Sequence, residues 1–185
     1  MSYTVGVGLL LNDEPFNKVR ELELCLAELT GNNRALQQPP HITVKRPFVL
    51  ANNNELKKVI QTVADLAKIT KAIPIRYNGI SQFGNSAWYL QAANCEPLAA
   101  VHRQLVGLIS QTFENSVGEL EQDKMVFHTT LALNLTNEEF KVSTQYLKDR
   151  DEKDFQSNTT LNQFGVFLSM DNGINWIVCA QISLI

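Results

Sequence analysis

His41-Ile-Thr43-Val and His128-Thr-Thr130-Leu are two copies of one pattern, His-x-Thr-apolar, in a chain with only three histidines. In an extended strand, residues two apart project from the same face. Each copy therefore sets an imidazole beside a hydroxyl on one surface. An imidazole near its ordinary pKa works as acid or base at neutral pH, and a hydroxyl donates to an anionic oxygen. Two such strands together offer an acid, a base and two donors, the set that cleavage of a phosphodiester requires. A single strand histidine is more often structural than catalytic. Two in matching contexts reverse that balance.

The flanking residues predict the elements that carry these strands. Tyr3–Leu11 reads as a buried strand, and a helix then starts near Asp13 (its cap) and Pro15 and closes at Gly31. Pro39-Pro40 introduces the first motif strand, His41 to Phe48, and Asn52–Asn54 caps a second helix on Leu56, Val59, Val63 and Leu66. Strands follow at about Ile73–Phe83 and Ala87–Ala93. The order then repeats: a helix from Pro97 to Phe113, a polar segment over 114–124, the second motif strand over Val126–Leu135, and a helix to Arg150 opened by the capping box Thr136-Asn-Glu-Glu139. Strands near Thr160–Ser169 and Asn175–Leu184 finish the chain. Ser81-Gln-Phe-Gly84 and Asn162-Gln-Phe-Gly165 echo one another, each ahead of a strand containing Trp (Trp88, Trp176). The chain thus reads as a single domain, 1–185, of two pseudo-symmetric halves, about 1–86 and 87–185.

Composition narrows the partners. With 16 Lys and Arg against 19 Asp and Glu, the net charge is −3. Proteins that grip long nucleic acids carry a basic surplus for phosphate contacts. Its absence here points to a nucleotide or an RNA end as substrate. Cys25, Cys95 and Cys179 lie far apart in apolar stretches without metal-ligand spacing, and read as reduced core residues. No basic leader segment or membrane-length apolar run is present, so the expected location is cytoplasmic, with no membrane and no obligate protein partner.

On the two His-x-Thr motifs, in the contexts Pro39-Pro-His-Ile-Thr-Val-Lys-Arg-Pro-Phe48 and Phe127-His-Thr-Thr-Leu-Ala132, the chain resembles the two-histidine (2H) phosphoesterase superfamily. That group includes 2′-5′ RNA ligase-like proteins and cyclic nucleotide phosphodiesterases. The resemblance spans essentially the whole chain. It implies a duplicated bilobal α+β fold, with an antiparallel sheet in each lobe, helices outside, and both motifs facing a central cleft. It also implies catalysis without metal or organic cofactor. Two departures stand out: Ala132-Leu-Asn134 occupies the place where many relatives carry a basic residue, and Thr129 replaces a bulky apolar residue.

The expected site has His41 and His128 as catalytic acid and base, in an order the sequence leaves open. Thr43 and Thr130 would donate to the phosphoryl oxygens. Lys45 shares the parity of His41 and Thr43, so a regular strand would bring it to the cleft as a phosphate-binding cation, whereas Arg46 would face outward. Phe83, Trp88, Tyr89, Phe164 and Trp176 are candidate stacking platforms, each also plausible as core. His102 is expected on a helix surface. The expected activity is a metal-independent phosphodiesterase acting on 2′,3′-cyclic phosphate ends or nucleotides, or on 2′-5′ linkages. Alternatives are hydrolysis of a cyclic oligonucleotide messenger, or a non-catalytic module that binds nucleotides or RNA ends.

Overall fold

The structure, a computed structural model, describes residues 2–93, 95–121, 125–150 and 152–185. Eight strands and four helices follow in the order β1 (Tyr3–Leu10), α1 (Asp13–Thr30), β2 (His41–Leu50), α2 (Asn53–Ala67), β3 (Ile73–Phe83), β4 (Ala87–Ala93), α3 (Glu96–Ser110), β5 (His128–Leu133), α4 (Asn137–Lys148), β6 (Gln156–Leu161), β7 (Gln163–Ser169) and β8 (Ile177–Ser183). They build two antiparallel four-stranded sheets, ordered β2-β1-β7-β8 and β5-β4-β3-β6. This is the bilobal α+β architecture expected from the sequence. Among the described residues no helix is long and apolar enough to cross a membrane.

Helix boundaries follow local chemistry. Gly31 closes α1 in the left-handed conformation (φ 75°) and donates its N–H to the Ala27 carbonyl. The start of α1 differs from expectation: Asn12 holds the cap position, and no side chain there caps a backbone N–H. Asn52 caps α2 by accepting from the N–H groups of Asn54 and Glu55 at 3.0 and 3.1 Å. The capping box of α4 forms in both directions between Thr136 and Glu139. The polar segment after α3 contains a 3-10 turn at Glu119–Glu121, while its residues 122–124 lie outside the described residues. The expected strand over Thr160–Ser169 divides into the end of β6 and β7. Trp176 immediately precedes β8 rather than lying in it.

The sheets do not coincide with the sequence halves. β3, from the first half, lies between β4 and β6, while β7 and β8, from the second half, complete the sheet of β1 and β2. The two sheets nevertheless read alike. Each begins with a His-x-Thr strand at its edge, followed by the strand that opens its half, then the strand bearing Gln-Phe (Gln82-Phe83 on β3, Gln163-Phe164 on β7). The halves have exchanged a strand, so neither sheet can form without both. Helices cross over as well: α1 packs on β5 and α3 on β2. One continuous apolar core, including Val5, Leu9, Ile42, Leu98 and Leu131, runs through both lobes. This exchange brings the two motif-bearing edge strands, β2 and β5, against one another.

Thr129 explains itself in this packing. It is fully buried, and its hydroxyl lies 2.6 Å from the Tyr77 hydroxyl on β3. A polar residue is tolerated inside because its partner is also polar. As expected, it faces away from the cleft-side residues His128 and Thr130.

Candidate active site

The two histidines are held by the same device. Nδ1 of His41 lies 2.9 Å from the Pro39 carbonyl, and Nδ1 of His128 lies 2.7 Å from the Val126 carbonyl. A carbonyl can only accept, so each Nδ1 carries the ring proton and each Nε2 is left as the basic nitrogen. The Thr43 hydroxyl lies 3.3 Å from Nε2 of His41 and donates to it in this tautomer. Each carbonyl belongs to the residue two positions before its histidine, so the tautomer is set by strand geometry.

Their surroundings differ. The His41 ring packs on Phe167, with centroids 4.3 Å apart, and lies over the backbone of Gly8. A Cβ at Gly8 would stand 2.7 Å from Cδ2 of His41, so only glycine lets the imidazole lie there. His128 is edged by Phe83 at 5.0 Å and Tyr89 at 4.9 Å, and these two rings stack on each other at 4.3 Å. Burial pushes the His41 pKa down to about 4; the Pro39 carbonyl opposes this and His128 adds to it. Burial also lowers His128, opposed by the Val126 carbonyl and assisted by the charge of Arg46.

His41, Thr43 and Thr130 line one cleft of about 260 Å³, with Trp176 and Glu23 also in its wall. Thr43 also borders an adjoining space lined by His128, Arg46, Phe83 and Met125. Both hydroxyls and both imidazoles are therefore grouped along the junction of β2 and β5.

Lys45 does not act as the free cation expected at the cleft. Two residues are inserted into β2 relative to β1: Gly8 pairs with Thr43, Val7 with Lys45 and Val5 with Phe48. The irregularities break the alternation on which the expectation rests. Lys45 is fully buried, and its ammonium donates to both oxygens of Glu121 (2.9 and 2.8 Å) and to the carbonyls of Ser116 and Arg46. Its stem borders the cleft while its charge is neutralised inside the protein. Burial lowers its pKa and Glu121 opposes that shift.

The same carboxylate accepts the Arg46 N–H at 2.6 Å and the Gly118 N–H at 3.0 Å, tying this bend of β2 to the segment before the 3-10 turn. Arg46, expected to face away, is exposed and lines the space beside His128. Strand parity cannot find it, although Pro47, which cannot donate to a ladder, marks the irregularity in the sequence.

His102 also departs from expectation. It is buried, with Nδ1 2.8 Å from the Val44 carbonyl and Nε2 2.7 Å from the Glu121 carbonyl. It braces β2 against the 3-10 turn. The sequence does carry a signal for this: position 102 lies four after Leu98 and three before Leu105, on the apolar face of α3.

Of the aromatic candidates, Phe164 is fully buried, and Trp88 is buried with its ring stacked on Phe140. Tyr89 is buried behind Phe83 and His128. Phe83 and Trp176 reach the cleft walls. Among the described residues, no group of three His, Cys, Asp or Glu side chains is arranged to hold a metal ion. The three cysteines are half-buried and unpaired.

Known proteins share this arrangement. The 2′-5′ RNA ligase superfamily matches residues 11–167. A protein of Geobacillus sp. (strain WCH70), named as a phosphoesterase, is 25% identical over 142 residues, covering 76% of this chain and 75% of its own. The crystal structure of TT0787 from Thermus thermophilus superposes with a TM-score of 0.64 at 17% identity, covering 98% of this chain and 97% of that one. E. coli LigT complexed with 3′-AMP gives a TM-score of 0.64 at 10% identity, covering 100% and 99%. With a family match across most of its length and two His-x-Thr strands meeting at one cleft, the chain belongs to the 2′-5′ RNA ligase superfamily of two-histidine phosphoesterases.

Proposed function

We propose that the protein is a metal-independent phosphodiesterase acting on RNA-derived phosphates, most directly 2′,3′-cyclic nucleotides or cyclic-phosphate RNA ends. The observation that carries this reading is the pair of imidazoles with matched tautomers, each with its hydroxyl partner, at one strand junction. The name of the LigT complex, with 3′-AMP bound, supports a nucleotide-sized ligand for this fold.

Hydrolysis needs one neutral and one protonated histidine. The neutral Nε2 removes a proton from water as it attacks phosphorus, and the other Nε2 gives its proton to the departing ribose oxygen. His41, held low by burial, is the neutral partner near pH 7. The anionic substrate raises the proton affinity of the histidine beside its leaving oxygen, and His128 fills that role. Thr43 and Thr130 donate to the non-bridging oxygens. Arg46 supplies the positive charge assigned by parity to Lys45, and stands in for the basic residue missing after the second motif.

The test is turnover of the four 2′,3′-cyclic nucleotides and of a cyclic-phosphate-ended oligoribonucleotide, all in EDTA. Activity should persist in EDTA and fall about 10³-fold in His41→Ala and in His128→Ala. The double variant should be little worse than either, because the two act as a unit. Tight nucleotide binding with no turnover, and no effect of either substitution on that binding, would favour the non-catalytic module.

A further inference from the structure

Glu23 is a buried carboxyl in the wall of the cleft that the mechanism above does not use. It sits on the inner face of α1 with Val19, Leu22 and Leu26, only 3% exposed. It borders the cavity that also contains His41, Thr130 and Trp176. Its neighbour Arg20 places Nη1 2.8 Å from Oε2. That contact lacks hydrogen-bond geometry, and Oε2 has no donor. The other terminal nitrogen of Arg20 is engaged by the Gln38 carbonyl at 2.7 Å. A buried carboxyl oxygen without a donor is costly, and the few such groups in folded proteins call for an explanation. Burial pushes this carboxyl up to about 8. In either protonation state it keeps an oxygen able to accept.

The rest of the cavity suggests what supplies the donor. The phosphate-directed groups, His41, Thr43 and Thr130, occupy one part of its wall. Trp176 provides a flat aromatic surface in the same cavity, its indole N–H already held by the Gly173 carbonyl at 2.9 Å. Phosphate donors, an aromatic face and an unmatched acceptor are the elements of a nucleotide pocket.

Resting on the phosphodiesterase reading, we infer that Glu23 is a specificity-determining residue: its carboxyl accepts a hydrogen bond from the exocyclic amino group of the substrate base. Adenine, cytosine and guanine carry such a group; uracil does not. The cleft therefore favours amino-bearing bases.

Calorimetric binding of 3′-AMP, purine riboside 3′-monophosphate (the same ligand without the amino group) and 3′-UMP tests this in the wild type, Glu23→Gln and Glu23→Ala. The wild type should bind 3′-AMP about tenfold more tightly than the other two, the value of one hydrogen bond to a buried partner. Glu23→Gln keeps a carbonyl oxygen and should keep part of the preference. Glu23→Ala should abolish it. Equal wild-type affinity for all three ligands overturns the inference and leaves the phosphodiesterase reading intact. So does a Glu23→Ala variant that weakens all three equally, the mark of a strut acting through Arg20 and Gln38. Failure of the wild type to bind any 3′-nucleotide overturns both.

Discussion

β2 and β5 carry the same four-residue motif and fix their histidines through the same contact, yet they are embedded differently. The position on β1 that pairs with Thr43 is Gly8, and the position on β4 that pairs with Thr130 is Tyr89. Glycine lets His41 sink onto the sheet against Phe167, whereas tyrosine props His128 up against Phe83. Four residues beyond each histidine stand Lys45 and Ala132, the first neutralised by Glu121 and the second apolar. The motif determines which nitrogen is free. The neighbouring strand determines how deeply that nitrogen is buried, and so which proton state it prefers. Two equal motifs can in this way become an unequal acid and base.

Making the β2 side more like the β5 side should be most damaging at Lys45. Lys45→Met strands the Glu121 carboxylate in the interior and should cost about 3–5 kcal/mol in urea unfolding. Adding Glu121→Leu should recover much of that loss, because the buried charge is then removed in full. A single variant as stable as wild type would mean that the pair is solvated in solution.

Gly8→Ala comes next. The added carbon must displace the His41 ring, and a displacement of that kind can cost about 10²-fold in kcat. Turnover should fall while unfolding stability changes much less, and Tyr89→Ala on the other side should have the milder effect on kcat. Equal losses at the two positions would contradict the asymmetry.

Arg46→Gln should raise KM for a cyclic nucleotide about tenfold, the scale of one charge-assisted contact at an exposed site. Lys45, already neutralised, should give no comparable separation of KM from stability.

The smallest effect lies in the pH dependence of stability. His41 has a folded pKa near 4 against an ordinary 6.5, so the unfolded chain binds more protons between these values and stability rises with pH across that window. Glu23 is raised to about 8 from 4.5, so its contribution, complete below pH 4.5, is lost as pH climbs through 8. Between pH 6.5 and 8 only the Glu23 slope remains of these two. Tm should decline across that interval in the wild type and stay nearly level in Glu23→Gln. Parallel curves would show that Glu23 is ionised throughout.

Legibility from the sequence tracks how local the cause is. The α4 capping box, the Gly31 terminus and the strand character of both motifs depend on neighbours a few residues away, and each is readable. The echo around Gln82-Phe83 and Gln163-Phe164 also identifies two strands that occupy matching places in their sheets. Lys45 and Arg46 exchange expected roles because two extra residues in β2 undo its alternation, and that register exists only against β1. His102 is misplaced when its polarity is weighed apart from the apolar face to which its spacing assigns it. Glu23 gives no sign at all. A glutamate on an amphipathic helix is ordinary until tertiary packing closes around it.

The chemistry available to this protein is written along its chain: two imidazoles, two hydroxyls, their common spacing, and the family to which they belong. Only folding settles how that chemistry is deployed. Strand exchange between the halves places β2 against β5, pairing with β1 and β4 sets the unequal burial of the two histidines, and packing of α1 carries a carboxyl into the cleft. The difference is one of range. Spacing along one strand is fixed by backbone geometry, while burial, pKa and the company of a side chain depend on residues that only the complete fold brings near.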